Sequence, residues 1–467
     1  AARQGNGRSA REAPRIGFVT LGCPKNLVDS ETMLGGLHRA GFAITSDLEE
    51  ASLVVVNTCA FLTASQQESI DTILRVAQLK KTARLRKLVV TGCLPQRHGP
   101  SVLEELPEVD YLLGPGTLGE IADVARGLLA DRLAPGARLG GLDGLEVEWE
   151  PRVISGHRHA AYLKISEGCN HTCTFCIIPR LRGRHRSRPM EEIEREAARM
   201  AAGGVGEITL VAQDSTAYGR DLYGKACLPE LLARLDAVEG LRWIRVLYAY
   251  PSGLDERFLA ALRDLPRVVP YLDIPVQHTS AAVLRRMRRP HRWSKTEAWL
   301  SRLRREVPGM VLRTTIITGF PGETEGDYEE LLRATGDFEF DHLGVFAYST
   351  EEGTPAARMP EAVPEELREQ RRERLMLQQR AITLRRNRGR IGRRLEVLVD
   401  SVDPGTGLAR GRWSGQALEI DGGVIISAPD PDSGARPPVS PGKYVGVRVR
   451  GAGPYDLVGS VEEGQCP

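Results

Sequence analysis

The sequence predicts an α/β protein in three parts: an N-terminal open parallel sheet domain, a central partial (β/α)6 barrel and a small C-terminal all-β barrel. Three observations carry the prediction. From residue 15 to about 125, short and fully apolar strand candidates alternate with helical segments, as in a parallel sheet covered on both faces. The alternation returns from about 158 to 350 and runs for about six units, the pattern of a parallel barrel whose chemistry sits at the strand C-termini. From 391 onward, short strands are separated by Gly, Pro and Asp, which reads as a small β-barrel.

Taken in order, residues 1–14 read as a disordered tail, polar and Arg-containing with no apolar core. In the first domain, 15–125, "RIGFVTLG", "ASLVVVNTC" and "RKLVVTGC" are strands, and "VDSETMLGGLHRAG" and "TASQQESIDTILRVAQL" are helices. Residues 126–155 are Gly-rich and read as a linker. The core, 156–360, has strands at "AAYLKIS", "EITLVAQD", "WIRVLYAY", "PYLDIPVQH", "VLRTTIITGF" and "HLGVFAYS". An Arg-rich helix over 361–390 bridges to the barrel, 391–463, with its charges as a solvated face.

A chain of 467 residues with 41% hydrophobic content has enough for several cores, and its net charge of +2 does not mark the whole molecule as a polyanion binder. No apolar run reaches the roughly 18 residues of a membrane span. Eight cysteines are too few for a secreted disulfide scaffold of this size. A cytoplasmic protein with free, metal-bound or catalytic thiols is expected.

Six of those cysteines form two sets. Cys23, Cys59 and Cys93 each fall just past the C-terminal end of a predicted strand, 36 and 34 residues apart, the edge at which open α/β sheets bind ligands. Each alone reads as a small buried hydrophobe; together they read as a converging three-thiolate site for zinc or an iron–sulfur cluster. Cys169, Cys173 and Cys176 follow the first barrel strand within "EGCNHTCTFCIIP". Zinc with His171 is one occupant, but no second ligand pair follows, since residues 177–226 contain no cysteine. A cubane cluster suits three ligands, because its fourth iron stays open to a small molecule. Cys227 and Cys466 have no partners at metal spacing and read as incidental.

The Cys169-x3-Cys173-x2-Cys176 spacing, with Phe175 before the last cysteine, resembles the signature of the radical S-adenosylmethionine enzymes. The resemblance implies a [4Fe–4S] cluster whose open iron is chelated by S-adenosylmethionine and whose reduction yields a 5′-deoxyadenosyl radical. It also implies cofactor contacts at Phe175, at Gly206 and Glu207 for the methionine amino group, and at Gly319 and Gly322 near the nucleoside, where each glycine alone reads as a turn residue. Asp273, Gln277 and His278 close a barrel strand and are candidate cofactor or substrate contacts; His278 also reads as a satisfied interior histidine. The arginines at 180, 182, 184, 186 and 188 read as a solvated edge or as partners for a cofactor or substrate carboxylate, Arg184 among them.

With a second cysteine trio before the radical core and a barrel after it, the chain resembles the methylthiotransferases over about residues 15–463, the barrel being TRAM-like. That family implies a second [4Fe–4S] cluster on Cys23, Cys59 and Cys93 that carries the sulfur to be transferred, two uses of S-adenosylmethionine, an electron donor such as flavodoxin or ferredoxin, and no general acid or base. "LGCPKNLVDSE", "GCNHTCTFCIIP" and "YLDIPVQHTS" resemble the branch that modifies an aspartate of ribosomal protein S12. The tRNA-modifying branch usually has Gln at Pro24, and Val-Val-Pro-Tyr where Ile177, Ile178, Pro179 and Arg180 stand. Residues 392–467 hold eight Lys/Arg and ten Asp/Glu, a net of −2 that suits a basic protein loop better than RNA. A tRNA methylthiotransferase, an RNA-binding adaptor with structural zinc, and a radical enzyme whose second cluster only relays electrons remain the alternatives.

Overall fold

The computed structural model describes residues 14–142, 152–427 and 439–462. The expected tail short of Pro14, the middle of the expected linker and Cys466 lie outside the described residues. The chain divides into two compact units, one of residues up to Val153 with Arg180–Gly183, the other of Ile154–Pro179 with everything from Arg184.

The first unit is built on a six-stranded sheet of β1 (Arg15–Thr20), β2 (Ala43–Thr45), β3 (Leu53–Thr58), β4 (Lys87–Gly92), β5 (Tyr111–Leu113) and β6 (Gly136–Arg138), in the order 2-1-3-4-5-6. Every pairing is parallel. β3 is buried along its whole length, as its Leu-Val-Val-Val run requires of a central strand. One face packs Ile16, Leu53, Val55 and Val89 against Met33, Leu37 and Ile121. The strand order reverses between β1 and β3, which creates a switch-point crevice at their C-terminal ends.

The linker expected over 126–155 is corrected here. The helix Ile121–Leu129 extends into it, and β6 within it pairs with β5. Gly-Ala-Arg carries no β-branched or aromatic residue, so its ladder position, not propensity, makes it a strand.

The second unit holds a six-stranded parallel sheet of β7 (Ala160–Lys164), β10 (Glu207–Val211), β11 (Trp243–Val246), β12 (Val268–Asp273), β13 (Val311–Thr318) and β14 (His342–Ala347), in the order 14-13-12-11-10-7. Among the described residues no ladder joins β7 to β14, so the barrel is partial. Between β7 and β10, the short strands β8 (Ser166–Glu167) and β9 (Arg186–Ser187) pair antiparallel and bracket the cysteine triplet. Leucines of the helix Leu228–Asp236 and Phe258, Leu259 and Leu262 of the helix Glu256–Asp264 join the strand core.

The helix Glu365–Arg388 then runs for 24 residues. It contains neither Gly nor Pro, with glutamates in its first turn and arginines in its last, as the helix dipole favours. β15 (Arg394–Val402), β16 (Ala409–Trp413), β17 (Val424–Ser427), β18 (Tyr444–Ala452) and β19 (Leu457–Val461) close a barrel in the order 15-16-17-19-18. Alternate residues of β15 and β18, Val397, Val399, Val445, Val447 and Val449, fill its core.

The segment between β16 and β17 seals the N-terminal mouth of the partial barrel. Tyr162 donates to the Leu418 carbonyl at 2.9 Å, Arg245 to that of Ser414 at 2.7 Å, and Tyr271 to the Asp421 carboxylate at 2.7 Å. The opposite, C-terminal mouth carries the cysteine triplet.

Candidate metal centres

In the first unit, Cys23 follows β1 and caps the helix Pro24–Arg39, Cys59 follows β3, and Cys93 opens the helix Cys93–His98 directly after β4. Cys23 and Cys59 therefore flank the switch point. Gly22 has φ +90°, and a Cβ there would lie 2.7 Å from Cys59 Cβ, so only glycine lets these two loops close on each other. Asn26 ties the loops together, its amide donating to the carbonyls of Leu21 at 3.0 Å and Thr58 at 2.9 Å. Thr58 Oγ1 donates to the Thr91 carbonyl at 2.6 Å and accepts from Leu94 N–H at 3.2 Å, which brings in the Cys93 loop.

Arg182 completes this edge. It is buried, pairs with Asp29 at 2.6 Å and donates to the Asn26 side chain. Burial raises the Cys23 thiol, but Lys25, Arg182 and backbone N–H groups outweigh it and hold the thiol below its ordinary value. Burial pushes Cys93 up to about 11 against the opposing pull of Arg182, and raises Cys59 as well.

In the second unit, the triplet loop is pinned at several points. Thr174 N–H donates to the Met287 carbonyl at 3.1 Å, its hydroxyl donates to the Arg286 carbonyl at 2.8 Å, and its carbonyl accepts from Ala356 N–H at 2.9 Å. Phe175 stands edge-on to Phe320 at 6.4 Å in an apolar cluster with Met287 and Tyr348. His171 stacks on Tyr250 at 3.7 Å and hydrogen-bonds Asp214 at 2.7 Å. Arg289 covers Tyr250 at 4.4 Å and donates to Cys173 Sγ at 3.9 Å. Burial pushes Cys169 up to about 11 and Cys176 up to about 12.

These sets fit a multi-iron centre better than a single ion. One tetrahedral ion draws its thiolates to about 4 Å from each other, whereas neither trio gathers all three sulfurs within 4.8 Å. At the triplet edge, buried Gln213 Oε1, Tyr250 Oη and Gln277 Oε1 have no hydrogen-bond partner among the described residues, as a wall built for a polar ligand requires. Gln277 also holds φ +69°, a strained backbone of the kind found at binding sites.

The other expected contacts lie as follows. Glu207 begins β10, so it and Gly206 lie at the strand end away from the triplet. Glu207 is fully buried, its carboxylate divided between Arg245 at 3.0 Å and Arg412 at 2.7 Å. Gly319 and Gly322 have positive φ, and a Cβ at either would meet the side chain of Arg368 or Arg286. Asp273 is held by Arg313 at 2.8 Å and Tyr248 N–H at 3.1 Å. His278 is an interior histidine, accepting from Ser280 N–H at 3.0 Å with Glu323 at 3.4 Å. Arg184 is exposed, while Arg182 and Arg188 neutralise Asp29 and Glu196 of the chain itself. Cys227 is buried against Gly219, apart from both trios.

The sequence reading missed Asn26, Gln213, Asp214, Tyr250 and Arg289, and named Arg182 only within the run of arginines from 180 to 188. Gln213 and Asp214 carried a signal, as polar residues just past a barrel strand; the others lie in loops and a helix with no such mark.

Three family models match the chain: the Radical SAM superfamily over residues 163–335, the uncharacterized protein family UPF0004 over 15–114, and the TRAM domain over 391–461. Ribosomal protein uS12 methylthiotransferase RimO of Anaeromyxobacter sp. (strain K) is 47% identical over 450 residues, covering 96% of this chain and 93% of that one. The protein of the same name from Geobacter sulfurreducens is 44% identical over 448 residues, covering 96% and 98%. Among solved structures, the radical S-adenosylmethionine methyltransferase TsrM from Kitasatospora setae aligns with a TM-score of 0.55 at 14% identity, covering 79% of this chain and 89% of that one. The cobalamin-dependent radical enzyme OxsB aligns with a TM-score of 0.51 at 15% identity, covering 79% and 56%. Both structural likenesses are likenesses of fold.

Proposed function

The chain belongs to the ribosomal protein uS12 methylthiotransferase family, and from that premise we propose that it inserts a methylthio group at the β-carbon of an aspartate of ribosomal protein S12, in the cytoplasm. The observation that carries the reading is the pair of three-thiol sets, each at the C-terminal edge of a parallel sheet, in a chain whose likeness to that family spans 96% of its length. No helix among the described residues is long and apolar enough to cross a membrane.

Cys169, Cys173 and Cys176 would hold one [4Fe–4S] cluster, and Cys23, Cys59 and Cys93 the other. When bound, these clusters and S-adenosylmethionine supply the radical that removes a substrate hydrogen and the sulfur that replaces it. The protein's share is positioning. Thr174 and the His171–Tyr250–Arg289 stack fix the triplet loop, and Arg289 sets a positive charge against Cys173. Gln213, Gln277 and Tyr250 offer polar atoms to the cofactor. Asn26, Thr58 and Arg182 hold the first trio in register, and a flavodoxin or ferredoxin supplies electrons.

The net charge of −2 over residues 392–467 supports a basic protein substrate over tRNA. The test is a reconstituted reaction with methyl-labelled S-adenosylmethionine, offered S12 and bulk tRNA together. Label and added mass on an S12 aspartate are expected; label in tRNA instead would overturn the substrate assignment.

A further inference from the structure

The loop that leaves β10 at the C-terminal mouth rises into an exposed knuckle. Asp214 on this loop holds His171 of the triplet at 2.7 Å. Further along it, the short helix Arg220–Tyr223 stands between Gly219 at φ +88° and Gly224 at φ +72°. These left-handed glycines turn the chain sharply at either end, and every residue from Arg220 to Lys225 is exposed. Leu222 and Tyr223 are 47% and 41% exposed, and among the described residues they are the one pair of exposed large apolar side chains adjacent in sequence. The acid of the knuckle, Asp221, turns back to accept from Ser187 N–H at 2.7 Å and from its hydroxyl at 2.6 Å, and Gly219 N–H donates to the same hydroxyl at 2.8 Å. Ser187 lies in β9, and His185 just before that strand donates its N–H to Asn170 of the triplet loop at 3.0 Å. The knuckle is thus fixed to the cysteine loop at both His171 and Asn170. Arg184 and Arg220 are exposed, with no ion-pair partner among the described residues, and Lys225 meets the exposed Glu230 at 3.1 Å.

We propose that this knuckle, with Arg184 and Arg220 beside its apolar pair, is the docking surface for an acidic one-electron carrier protein that reduces the triplet's centre. The proposal rests on the reading that Cys169, Cys173 and Cys176 hold a cluster that takes its electron from outside the chain. In that step the carrier loses one electron and the centre gains it; no bond forms or breaks, and the chain carries no proton. Electron transfer falls off steeply with distance, so the carrier must sit close to the triplet loop, to which this knuckle is tied. Guanidiniums without a counter-charge steer an acidic protein and speed its arrival. A small apolar centre gives contact without the large buried area of a lasting complex, as suits a carrier that leaves after each delivery. Two such arginines beside an apolar pair make a spot, not the continuous basic groove that a nucleic acid backbone follows.

The test uses the full chain with both centres loaded and a flavodoxin as the carrier. Binding is followed by the anisotropy of fluorescein-labelled flavodoxin at low and high salt, and turnover by the 5′-deoxyadenosine formed with reduced flavodoxin or with dithionite. Salt-sensitive binding is expected, weakened about tenfold by Arg220→Glu with Leu222→Ser, at an unchanged Tm because both side chains are exposed. Flavodoxin-driven turnover should fall in step. Turnover driven by dithionite, a small reductant that needs no docking surface, should stay at the parent's level. Arg220→Glu alone should lose the salt-sensitive part of the affinity and approach the parent at high salt, which keeps the test valid if the double variant is unstable. Unchanged flavodoxin affinity in both variants overturns the proposal. So does an equal loss of turnover with both reductants, or loss of oligouridylate binding with flavodoxin binding intact. A parent inert with dithionite would fault the cluster reading, while the binding measurement still decides the docking surface.

Discussion

Arg412→Met tests whether Glu207 is structural or belongs to the cofactor. Arg412 comes from the small barrel and is almost wholly buried, with 4% of its side chain exposed. It donates to Glu207 at 2.7 Å and grips Asp400 with two bonds, at 2.8 and 2.9 Å. Methionine keeps the apolar stem and removes the charge. Glu207 then keeps only Arg245, and Asp400 keeps His159 at 3.1 Å. Breaking a buried pair from one side costs about 3–5 kcal/mol, because the charge left behind is uncompensated. At about 2–4 °C per kcal/mol for a domain of this order, Tm should fall by very roughly 10 °C. Adding Glu207→Gln removes the orphaned charge and should restore part of the loss, a coupling read from a double-mutant cycle.

The pH dependence carries the same signature. Burial raises Glu207, but Arg412 and Arg245 outweigh it; burial raises Asp400, but His159 and Arg412 outweigh it. Both carboxyls are thus held below their ordinary values in the folded protein. Their stabilisation is full above the unfolded carboxylate range, about pH 4, and is lost as pH falls through the folded values. The gap in Tm between the parent and Arg412→Met should therefore narrow on acidification below about pH 4. A loss under about 1 kcal/mol for Arg412→Met, well below the usual cost of an orphaned buried charge, would refute the reasoning. If Glu207→Gln abolished S-adenosylmethionine binding at an unchanged Tm, the cofactor role would be restored to it.

Cys59→Ala should abolish sulfur insertion and lower iron from about eight to about four per chain, while 5′-deoxyadenosine formation persists; residual insertion would make the second centre a mere electron relay. Arg182→Gln breaks the buried ion pair with Asp29 at 2.6 Å, which should cost up to several kcal/mol, and should shift the midpoint potential of the first trio's centre; Arg182→Lys should recover much of both, and equal behaviour of the two variants would deny the charge a role. Gly22→Ala forces a Cβ within 2.7 Å of Cys59 Cβ at φ +90°, a strain of about 1–3 kcal/mol. Iron analysis should show the first trio underloaded, and full loading would mean that the Cys23 and Cys59 loops can part without loss.

The strands that position both trios were legible because their signal is local. β1, β3, β4 and the six barrel strands are apolar runs bounded by turn residues, and a cysteine just past such a run can only lie at the strand's C-terminal edge. β6 was not legible, since Gly-Ala-Arg carries no pattern and pairs only because β5 leaves it a free edge. The arginines after the triplet showed a regular spacing but not their partners. Arg182 meets Asp29 across 153 positions of sequence, a distance over which no periodicity survives.

Glu207 shows where local reading misleads. A glycine and a glutamate at the start of a strand carry the same letters whether they face a ligand or a second domain. What separates the two is which end of the barrel each mouth serves. The triplet takes the C-terminal mouth because it follows β7, and that leaves the N-terminal mouth, with Glu207, Arg245 and Tyr271 in it, to be sealed from elsewhere. The seal comes from 205 positions away, where Arg412 meets Glu207, and from Asp421, 150 positions beyond Tyr271. A buried carboxylate in such a place needs a cation more than a cofactor does, since an unpaired charge costs several kcal/mol. The small barrel's buried arginine and aspartate thus belong to the floor of the enzyme, and a net charge summed over that barrel describes its outer surface only once these two are set aside.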